Sequence, residues 1–146
     1  MQSNRRRFDR LKEENNMSFS NYLELKVLDH LMGKASYSAP TIYVGLSTAD
    51  PLDDGSGLAE PSGNGYARVL TAAGNWNSAA SGTITNLSTI TFPEASGSWG
   101  TVSHVVLFDA DTGGNILGSG ALSAPTAIVA LNIPRFSAGQ LSVSLD

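Results

Sequence analysis

The sequence contains no cysteine and few charged residues. The absence of cysteine excludes disulfide bonds and thiolate metal sites. Only 15% of the 146 residues are charged, whereas 15 residues are glycine; globular proteins usually carry about a quarter charged residues. This composition favours strands and turns over a solvated helical bundle. At this length we expect one domain with its own core.

Long apolar runs are also missing. No apolar run approaches the length needed to span a membrane, and no apolar segment follows the arginines near the N-terminus. We therefore expect neither a signal peptide nor membrane insertion, and we expect synthesis in a cytoplasm.

Charge is distributed unevenly along the chain. Residues 1–16 carry five basic and three acidic side chains, a net charge of +2, whereas residues 17–146 carry four basic and ten acidic ones, a net charge of −6. An acidic body repels phosphate, so we expect no nucleic-acid binding. The contrast predicts a basic N-terminal arm or extension, residues 1–16, and a single domain, residues 17–146.

Two interpretations of the arm stay open. It is either a loose leader, with Met17 as the ordinary start, or a segment that docks on a neighbouring subunit. In the second interpretation the attachment residues are Arg5, Arg6, Arg7 and Phe8.

One helix is predicted, over about residues 21–32. Asn21 can cap it, with Glu24 completing a capping box, and Gly33 is suited to end it. An apolar stripe at helical spacing is expected to pack on the rest of the domain. The stripe comprises Leu23, Val27 and Leu31, widened by Leu28 and Met32.

After Pro40 the apolar residues alternate, which indicates strands. About eight short strands separated by turn residues are typical of a sandwich or barrel. We predict a mainly β fold, an antiparallel β-sandwich of jelly-roll or Ig-like type, with one N-terminal helix. Two long runs around residues 109–115 predict a hairpin. The nearly all-apolar run 127–133 is predicted to be a strand buried on both faces.

The search for catalytic residues gives little. His30 and His104 are the only histidines, and neither has a nearby partner that would make a metal pair. We interpret His104 as a strand histidine with an internal hydrogen bond. There is no Gly-x-Ser-x-Gly sequence of the kind that presents a nucleophilic serine. No catalytic residue is assigned.

The best metal candidate is the loop that holds Asp50, Asp53 and Asp54, because three carboxylates beside glycines can wrap a Ca²⁺ ion. Set against an EF-hand loop, however, Leu52 and Pro61 stand where ligands are needed. A solvated turn is the favoured interpretation, and no cofactor is expected.

Aromatic side chains are the remaining candidates. Most lie at strand positions compatible with core packing. Trp99, which follows Gly97 and precedes Gly100, is the aromatic residue that we predict as an interface anchor.

Several segments together resemble a known family: residues 17–24 and 33–35, Pro40–Ser47, Gly65–Val69, Ile90–Pro93, and Trp99–His104 running to Ala110. From Met17 to Asp146 the chain resembles small structural proteins of tailed bacteriophages that are often labelled tail fibre proteins. The resemblance implies a virion component on the capsid, at the neck or on the tail, with no catalytic residues.

Three functional hypotheses follow. The first is a non-enzymatic virion structural protein that binds copies of itself and other virion proteins; the opposite charges of arm and body suit head-to-tail contacts. The second is a receptor- or carbohydrate-binding module at a fibre tip, supported by exposed Trp76 or Trp99 and a bound Ca²⁺. The third, a cell-wall hydrolase, requires Glu60 and Glu94 to converge at a cleft.

Overall fold

The computed structural model of the protein describes residues 16–145. The attachment residues predicted in the arm, Arg5, Arg6, Arg7 and Phe8, lie outside this range. The described chain forms β1 (Asn16–Phe19), α1 (Asn21–Leu31), β2 (Ile42–Ser47), β3 (Val69–Thr71), a 3-10 turn (Ala73–Asn75), β4 (Thr83–Thr85), β5 (Ile90–Thr91), β6 (Gly100–Phe108), β7 (Ile116–Ile128), β8 (Arg135–Phe136) and β9 (Ser142–Ser144).

Seven of these strands form one sheet in the order β3-β2-β6-β7-β1-β9-β4, and β5 pairs with β8 in a small second sheet. The mainly β class with one helix is therefore confirmed. The sandwich is not: the large sheet curls into a half-barrel instead of facing a second sheet of similar size. The sheet is also not wholly antiparallel, since β1 runs parallel to β9.

The predicted hairpin around residues 109–115 is confirmed as the β6–β7 turn. Asp109 accepts hydrogen bonds from the backbone N–H (2.7 Å) and side-chain amide (2.8 Å) of Asn115. Strand β6 then pairs with β7 from Phe108 opposite Ile116 to Gly100 opposite Ile128. A bulge lies near Ser103, where residues 122–125 of β7 have no single partner on β6.

Glycines on β7 allow β1 to pack closely against it. A Cβ atom on Gly118 would lie 2.5 Å from the carbonyl oxygen of Ser18, and one on Gly120 would lie 2.6 Å from that of Asn16. Such close backbone approach requires glycine and is typical of a corner in a curved sheet. The fully buried Met17 lies between these two contacts on β1.

The helix differs from its prediction in two respects. Its cap is Ser20, whose hydroxyl oxygen accepts from the Leu23 N–H at 3.2 Å, and not Asn21. None of its residues is buried. Tyr22 and Leu23 pack against the core, but the apolar side chains beyond them are exposed: Leu25, Val27, Leu28, Leu31 and Met32. The stripe expected to pack on the sheet therefore lacks a partner within the described chain.

The run 127–133 was also predicted wrongly. Strand β7 ends at Ile128, which is buried, and the chain then turns, leaving Val129, Leu131 and Ile133 at least half exposed. Apolar composition alone does not distinguish a buried strand from an exposed loop, because it does not show whether another element covers the segment.

The core is one cluster of buried apolar residues drawn from the strands and from the segments between them. The largest fully buried side chains of the described chain include Phe92, Phe108, Met17, Leu117 and Leu141. Within residues 16–145 no helix is long and apolar enough to cross a membrane.

We predict that Gly118→Ala destabilises the protein by about 1–3 kcal/mol, because the new methyl group overlaps the β1 backbone. Urea denaturation followed by circular dichroism measures the change. Gly74→Ala is the matched control, since a Cβ atom there meets no atom within 4 Å. Equal stability of the two variants would contradict the close packing of β1 on β7.

Candidate interaction surfaces

A buried ion pair joins the loop before β3 to the β6–β7 turn. The Arg68 guanidinium, with 5% of its side chain exposed, binds both carboxylate oxygens of Glu60 at 2.8 Å. It also donates to the carbonyl oxygens of Ala110 (2.7 Å) and Gly113 (2.9 Å), and it stacks 3.4 Å from the centre of the Phe108 ring. A bidentate, stacked geometry of this kind is specific to arginine.

Tyr66 completes the network. Its hydroxyl donates to Glu60 at 2.6 Å and accepts from the Leu46 N–H at 3.0 Å. Gly45 makes room for it, because a Cβ atom there would lie 2.6 Å from Phe108 and 2.9 Å from the Tyr66 hydroxyl. The network borders a cavity of about 600 Å³ near the start of α1. Glu60 is bound to both Arg68 and Tyr66, so the network holds the loop between β2 and β3 against the β6–β7 turn and against strand β2.

This environment makes the Tyr66 hydroxyl hard to ionise. Burial, followed by its hydrogen bond to Glu60, raises the pKa of Tyr66 far above its ordinary value of 10.0. A group whose pKa is raised on folding contributes stability below its unfolded-state pKa, and that contribution is lost as the pH rises towards its folded-state pKa.

We therefore predict that the free energy of unfolding falls above pH 10, with Tyr66 contributing about 1.4 kcal/mol per pH unit. Urea titrations at pH 8 and at two values above 10 measure the slope. Tyr66→Phe should show a shallower decline, because its unfolded state has one fewer proton to release. Parallel declines in the two proteins would contradict the role of Tyr66.

The structure does not gather the proposed Ca²⁺ ligands. The side-chain oxygens of Asp50 and Asp54 each accept from a backbone N–H two residues later, at 2.9 Å. The hydrogen bonds from Ser56 lower the pKa of the exposed Asp54 carboxyl. The backbone carbonyl of Asp53 accepts from the N–H of Asn21, at 3.0 Å. Within residues 16–145 no three His, Cys, Asp or Glu side chains are placed to hold a metal ion. The aspartates shape turns.

Both histidines make local contacts. His104 lies on β6, and its Nδ1 is 2.8 Å from the Ser103 hydroxyl, which confirms the predicted internal hydrogen bond. Its Nε2 is 3.9 Å from the Asp50 carboxylate. Nδ1 of His30 accepts from the Tyr37 N–H at 3.1 Å.

The structure places Trp99 in the core. Its ring is 4% exposed, its Nε1 donates to the carbonyl oxygen of Asn64 at 2.8 Å, and it meets Tyr66 edge to face with ring centres 5.2 Å apart. Both its ring and its indole N–H are thus engaged within the chain.

An apolar groove opens on the concave side of the half-barrel. This cavity of about 510 Å³ lies between the ends of the large sheet, and none of the residues from 16 to 145 that line it is charged. Its walls are mainly aliphatic and aromatic: Phe19, Leu23, Ile42, Trp76, Ile84 and Leu117. Trp76 is half-buried at the rim, with its Nε1 donating to the Thr71 hydroxyl at 3.0 Å. We refer to this cavity as the apolar groove.

A rigid apolar loop follows β7. Residues 129–133, here called the apical loop, expose Leu131 by 77% and both Val129 and Ile133 by 52%. The Leu131 N–H donates to the Ala95 carbonyl at 2.7 Å, and the Ala95 N–H donates to the Asn132 carbonyl at 2.8 Å. The Asn132 side chain accepts from the Val129 N–H at 3.0 Å.

Leu131 is held in a strained conformation. Its φ of +72° lies in the left-handed region, where a side chain costs about 1–2 kcal/mol. Strain that persists at an exposed leucine indicates a local structure fixed by its neighbours, and such positions are common at functional sites. The apical loop therefore presents three aliphatic side chains on a fixed backbone.

We predict that Leu131→Gly raises the free energy of unfolding by about 1 kcal/mol, since glycine adopts this φ without strain and the lost side chain is largely exposed. Thermal and urea unfolding measure it. Leu87→Gly is the control, because Leu87 is also exposed but has no positive φ. It should lose about 0.5–1 kcal/mol. A loss of stability in Leu131→Gly would contradict the strain.

Comparison with known families identifies the chain. Residues 18–144 match the family described as Podophage GP4 fiber I protein gp80. The chain belongs to this family. No curated protein matches it. The resemblance to phage tail fibre proteins is thereby confirmed over nearly all of the body, and membership of this fibre family indicates a structural component of a bacteriophage virion.

The most distinctive surfaces were missed by sequence reasoning. The apolar groove is assembled from strands distant in sequence, and the apical loop was taken for a buried strand. One signal was available for the loop: Asn132 interrupts the apolar run and Pro134 follows it, and both residue types are common in turns.

Proposed function

We propose that the protein is a non-enzymatic structural component of a bacteriophage particle, which assembles with further copies of itself and docks onto other virion proteins. Membership of the fibre family over residues 18–144 is the observation that carries this proposal. On this view it is made in the cytoplasm of the bacterial host and takes its place on the particle in a fibre, at the neck or collar, or on the capsid surface.

The exposed surface supports a role in assembly. Soluble monomers rarely expose apolar patches larger than about 300–600 Å², and larger patches mark interaction sites. Here α1 exposes four large apolar side chains, its C-cap residue Met32 exposes a fifth, and the apical loop exposes three more. Structural virion proteins work by shape and buried contact, and such side chains provide the contact.

The arm supplies a second proposed attachment. Arg5, Arg6, Arg7 and Phe8 combine three positive charges with one aromatic ring. Charged donors of this kind bind carboxylates strongly when both groups are partly desolvated. The body of a neighbouring copy, with its net charge of −6, offers such carboxylates.

The carbohydrate-binding alternative required an exposed tryptophan and a Ca²⁺ site. Trp99 is buried, Trp76 is half-buried at the rim of a groove without charged residues, and Asp50, Asp53 and Asp54 form no cluster. No specific observation favours this alternative, and we do not propose it.

The proposed function predicts that the protein is present in purified particles and depends on its arm to be there. Deleting residues 1–15, which leaves β1 intact, or replacing Arg5, Arg6 and Arg7 by glutamate, should lower its amount per particle by roughly tenfold, a loss of about 1.4 kcal/mol of binding. Mass spectrometry of gradient-purified particles measures this amount.

Replacing the same three arginines by lysine is the matched control, which keeps the charge and should retain most of the incorporation. Unchanged incorporation after deletion of residues 1–15 would refute the role of the arm. Absence of the complete protein from purified particles would refute the proposed function itself.

A further inference from the structure

The apical loop and the apolar groove lie at opposite ends of the same strand pair. The loop begins directly after Ile128, which pairs with Gly100 at the start of β6. Leu107, near the other end of β6, lines the groove. Seven residue steps separate Gly100 from Leu107, which corresponds to about 23 Å at 3.3 Å per residue. The loop is held by its hydrogen bonds to Ala95, so it does not reach the groove of its own chain.

We propose that the apical loop of one copy inserts into the apolar groove of a second copy. This rests on the proposed function and names the partner and the surfaces through which copies assemble. Because loop and groove are different surfaces, the contact is head-to-tail. Repeated contacts of this kind close into a ring if the rotation between copies permits, and otherwise they extend as a filament.

The two surfaces match in chemistry. The loop presents three branched aliphatic side chains, Val129, Leu131 and Ile133, and residues 129–133 carry no charge. In the part of the chain that the structure describes, the groove is lined mainly by aromatic and aliphatic side chains and by no charged residue. Insertion therefore buries apolar surface without removing a charged group from water. Desolvation of a charge would offset much of the free energy gained by burial.

The loop is also suited to insertion because it is ordered in advance. The hydrogen bonds that fix Ala95, Asn132 and Val129 hold the backbone on both sides of Leu131. A preformed loop loses little conformational entropy on binding, so more of the contact energy remains as affinity. Functional insertion would also account for the retention of a strained leucine where glycine would fit without strain.

The exposed area is close to what a stable contact needs. An interface of standard size buries about 1,600 Å² in total, of which roughly 60% is apolar, so about 1,000 Å² of apolar surface is required. The apical loop exposes on the order of 300 Å² in its three aliphatic side chains, and the α1 side chains expose on the order of 500 Å². The groove walls supply the remainder.

Helix α1 lies where a docked copy would cover it. Leu23, on the first turn of the helix, is itself part of the groove wall. Val27 lies one turn further along the stripe and continues the apolar surface away from the groove. A neighbour seated in the groove therefore extends along the exposed face of the helix. This explains how an 11-residue helix with no buried residue would acquire a partner.

The lack of cysteine gives a clean test by cross-linking. Leu131→Cys places a thiol on the loop, and Ser78→Cys places one on the exposed rim of the groove. We expect a mixture of the two full-length single variants to form a disulfide-linked pair under mild oxidation, whereas neither variant alone does so. Each variant chain carries a single cysteine, so any disulfide joins two chains. Leu131→Cys mixed with Ser62→Cys, an exposed position outside the groove, is the control and should give no more than background.

Three results would overturn the inference. Efficient pairing of Leu131→Cys with itself would show a symmetric loop-to-loop contact instead. Equal cross-linking to Ser62→Cys would show random collision. Cross-linking that occurs only after residues 1–15 are deleted would assign the groove to the arm.

A second measurement separates assembly from folding. Leu131→Gly should weaken the concentration-dependent association of the protein, measured by sedimentation, at least about tenfold, although its folded state is expected to be more stable. Leu87→Gly should associate as the unaltered chain does. Unaltered association of Leu131→Gly, or no concentration-dependent association of the unaltered chain, would refute the contact.

Particles distinguish this inference from the proposed function. If the protein is present in purified particles but no Leu131–Ser78 cross-link forms there, the head-to-tail contact is wrong and the structural role stands. If the protein is absent from particles, the proposed function fails first.

Discussion

The close contact of β1 with β7 is the constraint on which the rest of the structure depends. Strand β1 connects the antiparallel strands β3, β2, β6 and β7 to β9 and β4 on its other side. It can do so because Gly118 and Gly120 let its backbone approach at distances that a Cβ atom forbids. At this corner the sheet curls, and its curvature creates the concave side that holds both the core and the apolar groove.

Polar contacts then fix the loops at one end of that sheet. Arg68 binds Glu60 and two carbonyl oxygens of the β6–β7 turn, while Tyr66 connects Glu60 to the backbone of β2. A buried charge of this kind is tolerated only when each of its groups finds a partner. The charged groups of this cluster bind one another and hold the fold.

Within residues 16–145, apolar surface remains uncovered in three places: the groove, the outer face of α1 and the apical loop. Large exposed apolar patches mark interaction sites, and the proposed assembly with other copies would cover them. The left-handed backbone conformation at Leu131 distinguishes the apical loop from an irregular loop without a fixed backbone.

The sequence by itself determined the mainly β class, the extent of the helix to within a residue, the β6–β7 hairpin and the family. These depend on local period, turn residues and motifs, which neighbouring residues specify. It did not determine the curl of the sheet, the burial of Trp99, the exposure of α1 or the fate of residues 127–133. These features depend on which distant strand covers each side chain, and only the tertiary structure decides that. Gly118 and Gly120, for example, act through contacts with β1, which lies about 100 residues earlier in the chain.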